Sequence, residues 1–193
     1  MKRIGLSALV LLLAVAPTGG LRAQVPPPPT PAPDPHTYTD PAMSYTAPED
    51  AVLAGRKYFT LSEIGNDLQP AAIWVLRPGK EDMRTIQLMM ESFPGSPDQW
   101  EGQFESQMHS AGGEGLLIRN KTPITLLNGM PATFVEVTTG SGFDSKKEFA
   151  IVWADGERGI VLAESGRLGD VSPEEAKRVL GHVTAVRYPT DQP

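Results

Sequence analysis

The chain contains no cysteine among its 193 residues. That absence excludes a disulfide framework, a thiolate zinc or iron-sulfur site, a cysteine nucleophile and a lipid attached through a thioether. Clustered basic residues are scarce too: 17 Lys and Arg stand against 23 Asp and Glu, a formal charge of −6 with a sequence pI near 5.1. Phosphate recognition rests on grouped Lys and Arg, so nucleic acid is excluded as the expected partner. Histidine occurs only three times, at His36, His109 and His182. None has a second histidine at the i+3 or i+4 spacing of a helical metal pair, so no metal site and no cofactor is expected.

What is present begins with an export signal. Lys2 and Arg3 precede an apolar run from Ile4 to Ala16, and Pro17, Thr18, Gly19 and Gly20 break it. The pattern is that of a secretory leader over residues 1–23, with cleavage expected between Ala23 and Gln24. The alternative is a retained membrane anchor, against which the run counts as shorter than the roughly 20 apolar residues that cross a bilayer as a helix; no integral membrane span is expected once the leader is removed. Loss of Lys2, Arg3 and Arg22 leaves 14 basic residues against 23 acidic ones. A periplasmic or secreted location follows, and the periplasm tolerates a cysteine-free chain.

Residues 25–35 read VPPPPTPAPDP, with seven prolines in eleven positions. Proline fixes φ and removes the amide donor, so this segment is expected to be a polyproline II spacer. Residues 36–50 continue rich in Pro, Thr and Asp. The expected organisation is therefore a leader at 1–23, a disordered proline-rich arm at 24–50 and one domain at 51–190.

Within that domain, Ala71–Leu76 and Thr85–Met90 read as two strands separated by the turn residues Pro78 to Asp82. Ser96-Pro97-Asp98-Gln99 and Ser172-Pro173-Glu174-Glu175 carry a serine cap, proline at the first helical position and a capping-box partner. Each predicts a helix. Trp100, Phe104 and Met108 mark the inward face of the first, and Ala176, Val179, Leu180 and Val183 that of the second. Strands are expected at 116–118, 123–127, 132–139, 149–154 and 160–164, with Asn128-Gly129 and Asp155-Gly156 as turns, the latter closing a hairpin. The stretch Val52–Ile64 fits helix and strand equally. The expected class is α+β, an antiparallel sheet of about five to seven strands flanked by two or more helices.

Trp100-x-x-Gln103-Phe104, Asn128-Gly129-Met130-Pro131-Ala132-Thr133, Trp153-Ala154-Asp155-Gly156 and the closing Pro173-Glu174-Glu175-Ala176 helix together resemble the PsbP-like fold family across residues 51–190. The resemblance implies a central antiparallel sheet between helices in a family of mostly non-enzymatic assembly and accessory proteins. It carries over no catalytic or ligand residues.

Catalytic patterns are correspondingly thin. There is no G-x-S-x-G elbow, and Ser141 and Ser165 read as turn residues. The nearest carboxylate pairs, Asp155 with Glu157 and Glu81 with Asp82, fall in turns where solvated acids are expected, whereas a general acid needs a buried carboxyl. Gly112-Gly113-Glu114-Gly115 lacks the Lys-Ser/Thr of a phosphate loop and reads as a helix end. Trp74, Trp100 and Trp153 are the remaining binding candidates, as pocket lining or as core. Three functions stay open: a non-catalytic envelope accessory module with another envelope protein as partner, a binder of a small apolar ligand or lipid, and a hydrolase of unrecognised type.

Overall fold

The first capping box forms in full and the second by its serine bond alone, because the Glu175 side chain turns to Arg84. Ser96 N–H donates to Gln99 Oε1 at 3.0 Å and Gln99 N–H returns to Ser96 Oγ at 3.3 Å, opening helix α1 at Pro97–Gly112. Ser172 Oγ accepts from Glu175 N–H at 3.2 Å and opens α2 at Pro173–Leu180. Gly181 is the C-cap of α2 and not part of its body, and a Cβ there would lie 2.6 Å from the Lys177 carbonyl oxygen. The computed structural model describes residues 33–112, 116–139, 146–167 and 169–189. The expected leader, its Ala23/Gln24 cleavage point, most of the proline-rich spacer and Ser141 lie outside the described residues.

Seven strands build the main sheet: β3 (Ala51–Arg56), β4 (Gln69–Leu76), β5 (Arg84–Ser92), β6 (Leu117–Thr125), β7 (Pro131–Thr139), β8 (Lys146–Ala154) and β9 (Arg158–Arg167). Their order is β3-β4-β5-β9-β8-β7-β6, with every neighbouring pair antiparallel. The sheet is thus two meanders, β3–β5 and β6–β9, joined along β5 and β9. The fold is α+β, as the sequence indicates.

The two sequence segments at 116–118 and 123–127 are one strand, β6, with an irregular register between Ile118 and Asn120. Pro123 is tolerated within it because β6 is an edge strand. The ambiguous stretch 52–64 divides into β3 and a 3₁₀ turn at Leu61–Glu63. Asn128 and Gly129 both take positive φ, 80° and 84°, the backbone of a tight hairpin turn between β6 and β7.

The larger correction concerns the arm. A second sheet has the order β1-β2-β10, from β1 (Thr37–Thr39), β2 (Met43–Thr46) and β10 (Val183–Ala185), so two of its strands lie in residues assigned to a disordered segment. Tyr38 and Tyr45 are fully buried, Tyr45 donates its hydroxyl to the Val179 carbonyl at 3.1 Å, and Trp74 Nε1 donates to the Pro35 carbonyl at 2.9 Å. The domain boundary is therefore near Pro33, not Ala51. Proline and aspartate dominate the composition there, but Tyr38, Met43, Tyr45 and Ala47 supply an inward face that outweighs it.

The main sheet is covered on both faces. Trp74, Ile86, Leu88, Phe149, Ile151, Trp153, Ile160 and Leu162 form one buried layer beneath α2 and the small sheet. On the other face Val135, Val137, Ala150, Val152, Val161 and Ala163 pack against Trp100 and Phe104 of α1. Strands covered on both sides read as continuous apolar runs, which explains Ala150 to Ala154.

Candidate functional site

The three tryptophans occupy opposite sides of the sheet. Trp74 and Trp153 belong to the layer under α2, and Trp100 belongs to the layer under α1. All are at most 1% exposed, and Trp100 Nε1 donates to the Ile160 carbonyl at 3.3 Å. None lines any of the clefts described below: all three are part of the core. A binding site has to be sought elsewhere.

Two buried ionic clusters were not visible as such in the sequence. In the first, Arg158 is 1% exposed and pairs with Asp40 at 2.5 Å and with Asp155 at 2.7 Å. Asp155 Oδ1 also accepts from Glu157 N–H at 3.1 Å and Arg158 N–H at 2.8 Å. The reading of Asp155 as a solvated turn acid is thereby corrected: it is 2% exposed because its carboxylate closes the β8–β9 turn from inside. The other pair stays as expected at the surface, where Asp82 bonds to Arg77.

In the second cluster Arg84 pairs with Glu164 at 2.7 Å and with Glu175 of α2 at 2.8 Å. Burial pushes the Glu164 carboxyl up to about 6, the Arg84 guanidinium opposes that shift, and Glu175 adds to it. Glu164 Oε2 and Arg84 Nε have no hydrogen-bond partner. Both residues sit at inward positions of otherwise apolar strands, and this was the legible sign: Arg84 precedes Ile86 and Leu88, and Glu164 follows Ile160 and Leu162.

The third arrangement lies at the start of α1. Glu91 in β5 is fully buried, and its carboxylate accepts from Gln103 Nε2 and, at 2.8 Å, from Gln107 Nε2. Burial pushes this carboxyl above its ordinary range, the two amide donors oppose the shift, and nearby Asp67 adds to it. Beside it opens a cleft of about 490 Å³ lined by Asn66, Ser92, Phe93, Gly95, Gln99 and Gln103 among others. Phe93 lies against Trp100 with ring centroids 5.3 Å apart. A Cβ on Gly95 would come within 2.4 Å of the Phe93 ring, so only glycine allows the ring to rest there. A smaller cleft of about 260 Å³ lies nearby between Ser96, Met130, Asp155 and Arg187.

The histidines stay apart. His36 Nδ1 lies 3.2 Å from the Pro48 carbonyl oxygen, His109 is exposed in the last turn of α1, and His182 is exposed just past α2. Among the described residues no group of three or more His, Asp or Glu side chains is placed to hold a metal ion, and no helix is long and apolar enough to cross a membrane. Comparison with protein-family models gave no match, and comparison with curated proteins gave none either.

Proposed function

We propose that this chain is an exported, non-catalytic accessory module of the bacterial envelope that acts by presenting its surface to another envelope protein. The observation that carries the reading is how the interior charges are used. Arg158 is committed to Asp40 and Asp155, and Arg84 to Glu164 and Glu175. A general acid or base needs a reacting group within hydrogen-bond reach. These carboxylates instead hold an N-terminal turn and a helix onto the sheet.

Further support comes from the leader-like N-terminus and from the resemblance to a PsbP-like scaffold. The edge strand β3 offers an uncharged stretch, Ala51 to Gly55, with Val52 53% exposed, a surface to which a partner strand can be added. The rival apolar-ligand reading is weakened because its three tryptophans are spent in the core. Native mass spectrometry of the protein purified from an envelope fraction tests the proposal. A stoichiometric protein partner, lost when Val52 is replaced by Lys, is the expected result. A co-purifying lipid with no protein partner would overturn it.

A further inference from the structure

We infer that the cleft at the N-terminal end of α1 is a binding site for an organic cation, a guanidinium or primary ammonium group, seated on the Phe93 ring beside the amides of Gln99 and Gln103. This inference goes beyond the accessory reading and does not depend on it.

The argument starts from a charge that lacks its opposite. Buried carboxylates are normally matched by a cation, because taking an isolated charge out of water is costly. The molecule follows that rule at its two other ionic clusters, where Arg158 and Arg84 sit among the carboxylates. Glu91 departs from it. Its two hydrogen-bond donors are the neutral amides of Gln103 and Gln107, and the charge of another acid, Asp67, acts on it. Gln103 is shared between this carboxylate and the cleft wall, so the negative charge lies one hydrogen bond behind the surface that a ligand touches.

The rest of the wall suits the same class of ligand. Phe93 lines the cleft, and an aromatic ring attracts ammonium and guanidinium groups within about 6 Å of its centroid. That ring is held in place by Trp100 on one side and by the missing Cβ of Gly95 below it. Asn66, Ser92, Gln99 and Gln103 supply side-chain oxygens that accept N–H donors. Among the described residues no Lys or Arg contributes to the lining. An anion would meet Glu91 and Asp67 with nothing to offset them, and a purely apolar ligand would strip the amides of water without replacing their hydrogen bonds. Guanidinium and ammonium groups occur both as free amines and as Arg or Lys side chains of a partner, and the cleft recognises the chemistry they share.

The test is a titration of isotope-labelled purified protein, followed through the side-chain NH₂ resonances of Asn66, Gln99 and Gln103. Methylguanidinium is expected to shift them saturably, while methylurea, its neutral isostere, leaves them in place. The peptide Gly-Arg-Gly competing at least tenfold more tightly than methylguanidinium identifies a partner side chain as the source, and equal affinity identifies a small free cation. Glu91→Gln is expected to weaken methylguanidinium at least tenfold. Gln103→Lys places an ammonium beside Glu91 from within and is expected to abolish binding while raising Tm, a readout that holds even where Glu91→Gln fails to fold. Equal shifts by methylurea, unchanged affinity in Glu91→Gln, or binding retained by Gln103→Lys would each overturn the inference. A missing protein partner in the envelope fraction would leave this titration untouched.

Discussion

Arg158 and Asp40 stand 118 positions apart in the chain, and their side chains meet at 2.5 Å with the guanidinium 1% exposed. The contact ties the turn between β1 and β2 to the β8–β9 hairpin, so an N-terminal segment of low apparent order becomes part of the central fold. Asp40 has a second duty, because its Oδ1 accepts from Ala42 N–H at 2.8 Å and from Met43 N–H at 3.0 Å.

Asp40→Ala therefore removes a charge partner and the acceptor of two backbone N–H groups at once. Breaking a buried pair from one side costs about 3–5 kcal/mol, and the retained Asp155 places this case near the lower end. A loss of about 3 kcal/mol in urea unfolding is expected, with Asp40→Asn recovering part of it through the turn hydrogen bonds. A loss below about 0.5 kcal/mol, the level of an ordinary surface change, would show that the pair is not formed in solution.

Proteolysis examines the corrected boundary. Tyr38, Met43 and Tyr45 are buried, so cleavage between Thr37 and Thr46 requires the small sheet to open. A protease of broad specificity such as proteinase K is expected to leave a resistant fragment that begins near Pro33, since trypsin finds no Lys or Arg between Arg22 and Arg56. A fragment that begins near Ala51 and keeps its full thermal stability would restore the longer arm. Deleting residues 33–50 is expected to abolish the cooperative transition, since it uncovers Trp74 and exposes the layer beneath α2.

Local chemistry explains what was legible in the sequence. Both helices announced themselves through Ser-Pro caps whose hydrogen bonds close within three residues, and the β8–β9 hairpin through alternation around Asp155-Gly156. Strands β1 and β2 were hidden because each is three or four residues long, with its inward tyrosine surrounded by Thr, Asp and Pro. The ionic clusters were hidden for a different reason. Arg84 and Glu164 are 80 positions apart, and only the register that sets Ile86 opposite Glu164 brings them together. The cleft at Phe93 depends likewise on Gly95 and on Gln103, about two helical turns beyond the Ser96 cap that the sequence did mark.

Gly159, just before the expected strand 160–164, serves packing. It lies in β9 opposite Glu91, and an added Cβ would come within 2.5 Å of the Trp100 indole. The indole lies flat on the strand there and donates to the next carbonyl, that of Ile160. Gly159→Ala must displace a fully buried tryptophan, and overpacking of this kind costs about 1–3 kcal/mol. Thermal unfolding is expected to show that loss together with a shift in tryptophan fluorescence. A double change with Trp100→Phe, which frees space, is expected to cost less than the two single changes added together. Strict additivity would mean that the glycine and the indole do not touch.

Glu148 sets a pH dependence whose sign can be stated. It lies in β8 opposite Val137 and Ser165, is half-buried, and burial pushes its carboxyl up to about 7 from an ordinary 4.5. Its folded-state value is raised, so between those two points the unfolded chain binds fewer protons than the folded one. Stability is then fully present below about pH 4.5 and is lost as pH rises towards 7. Glu164 acts in the same direction, with its carboxyl raised to about 6 against the opposing Arg84. Glu148→Gln keeps the shape and removes the titration. The wild-type chain is expected to lose on the order of 2 kcal/mol more than Glu148→Gln between pH 5 and pH 8, read from urea midpoints at each pH. Parallel pH profiles for the two proteins would show that the Glu148 carboxyl is solvated, because only desolvation separates its titration from that of the unfolded chain.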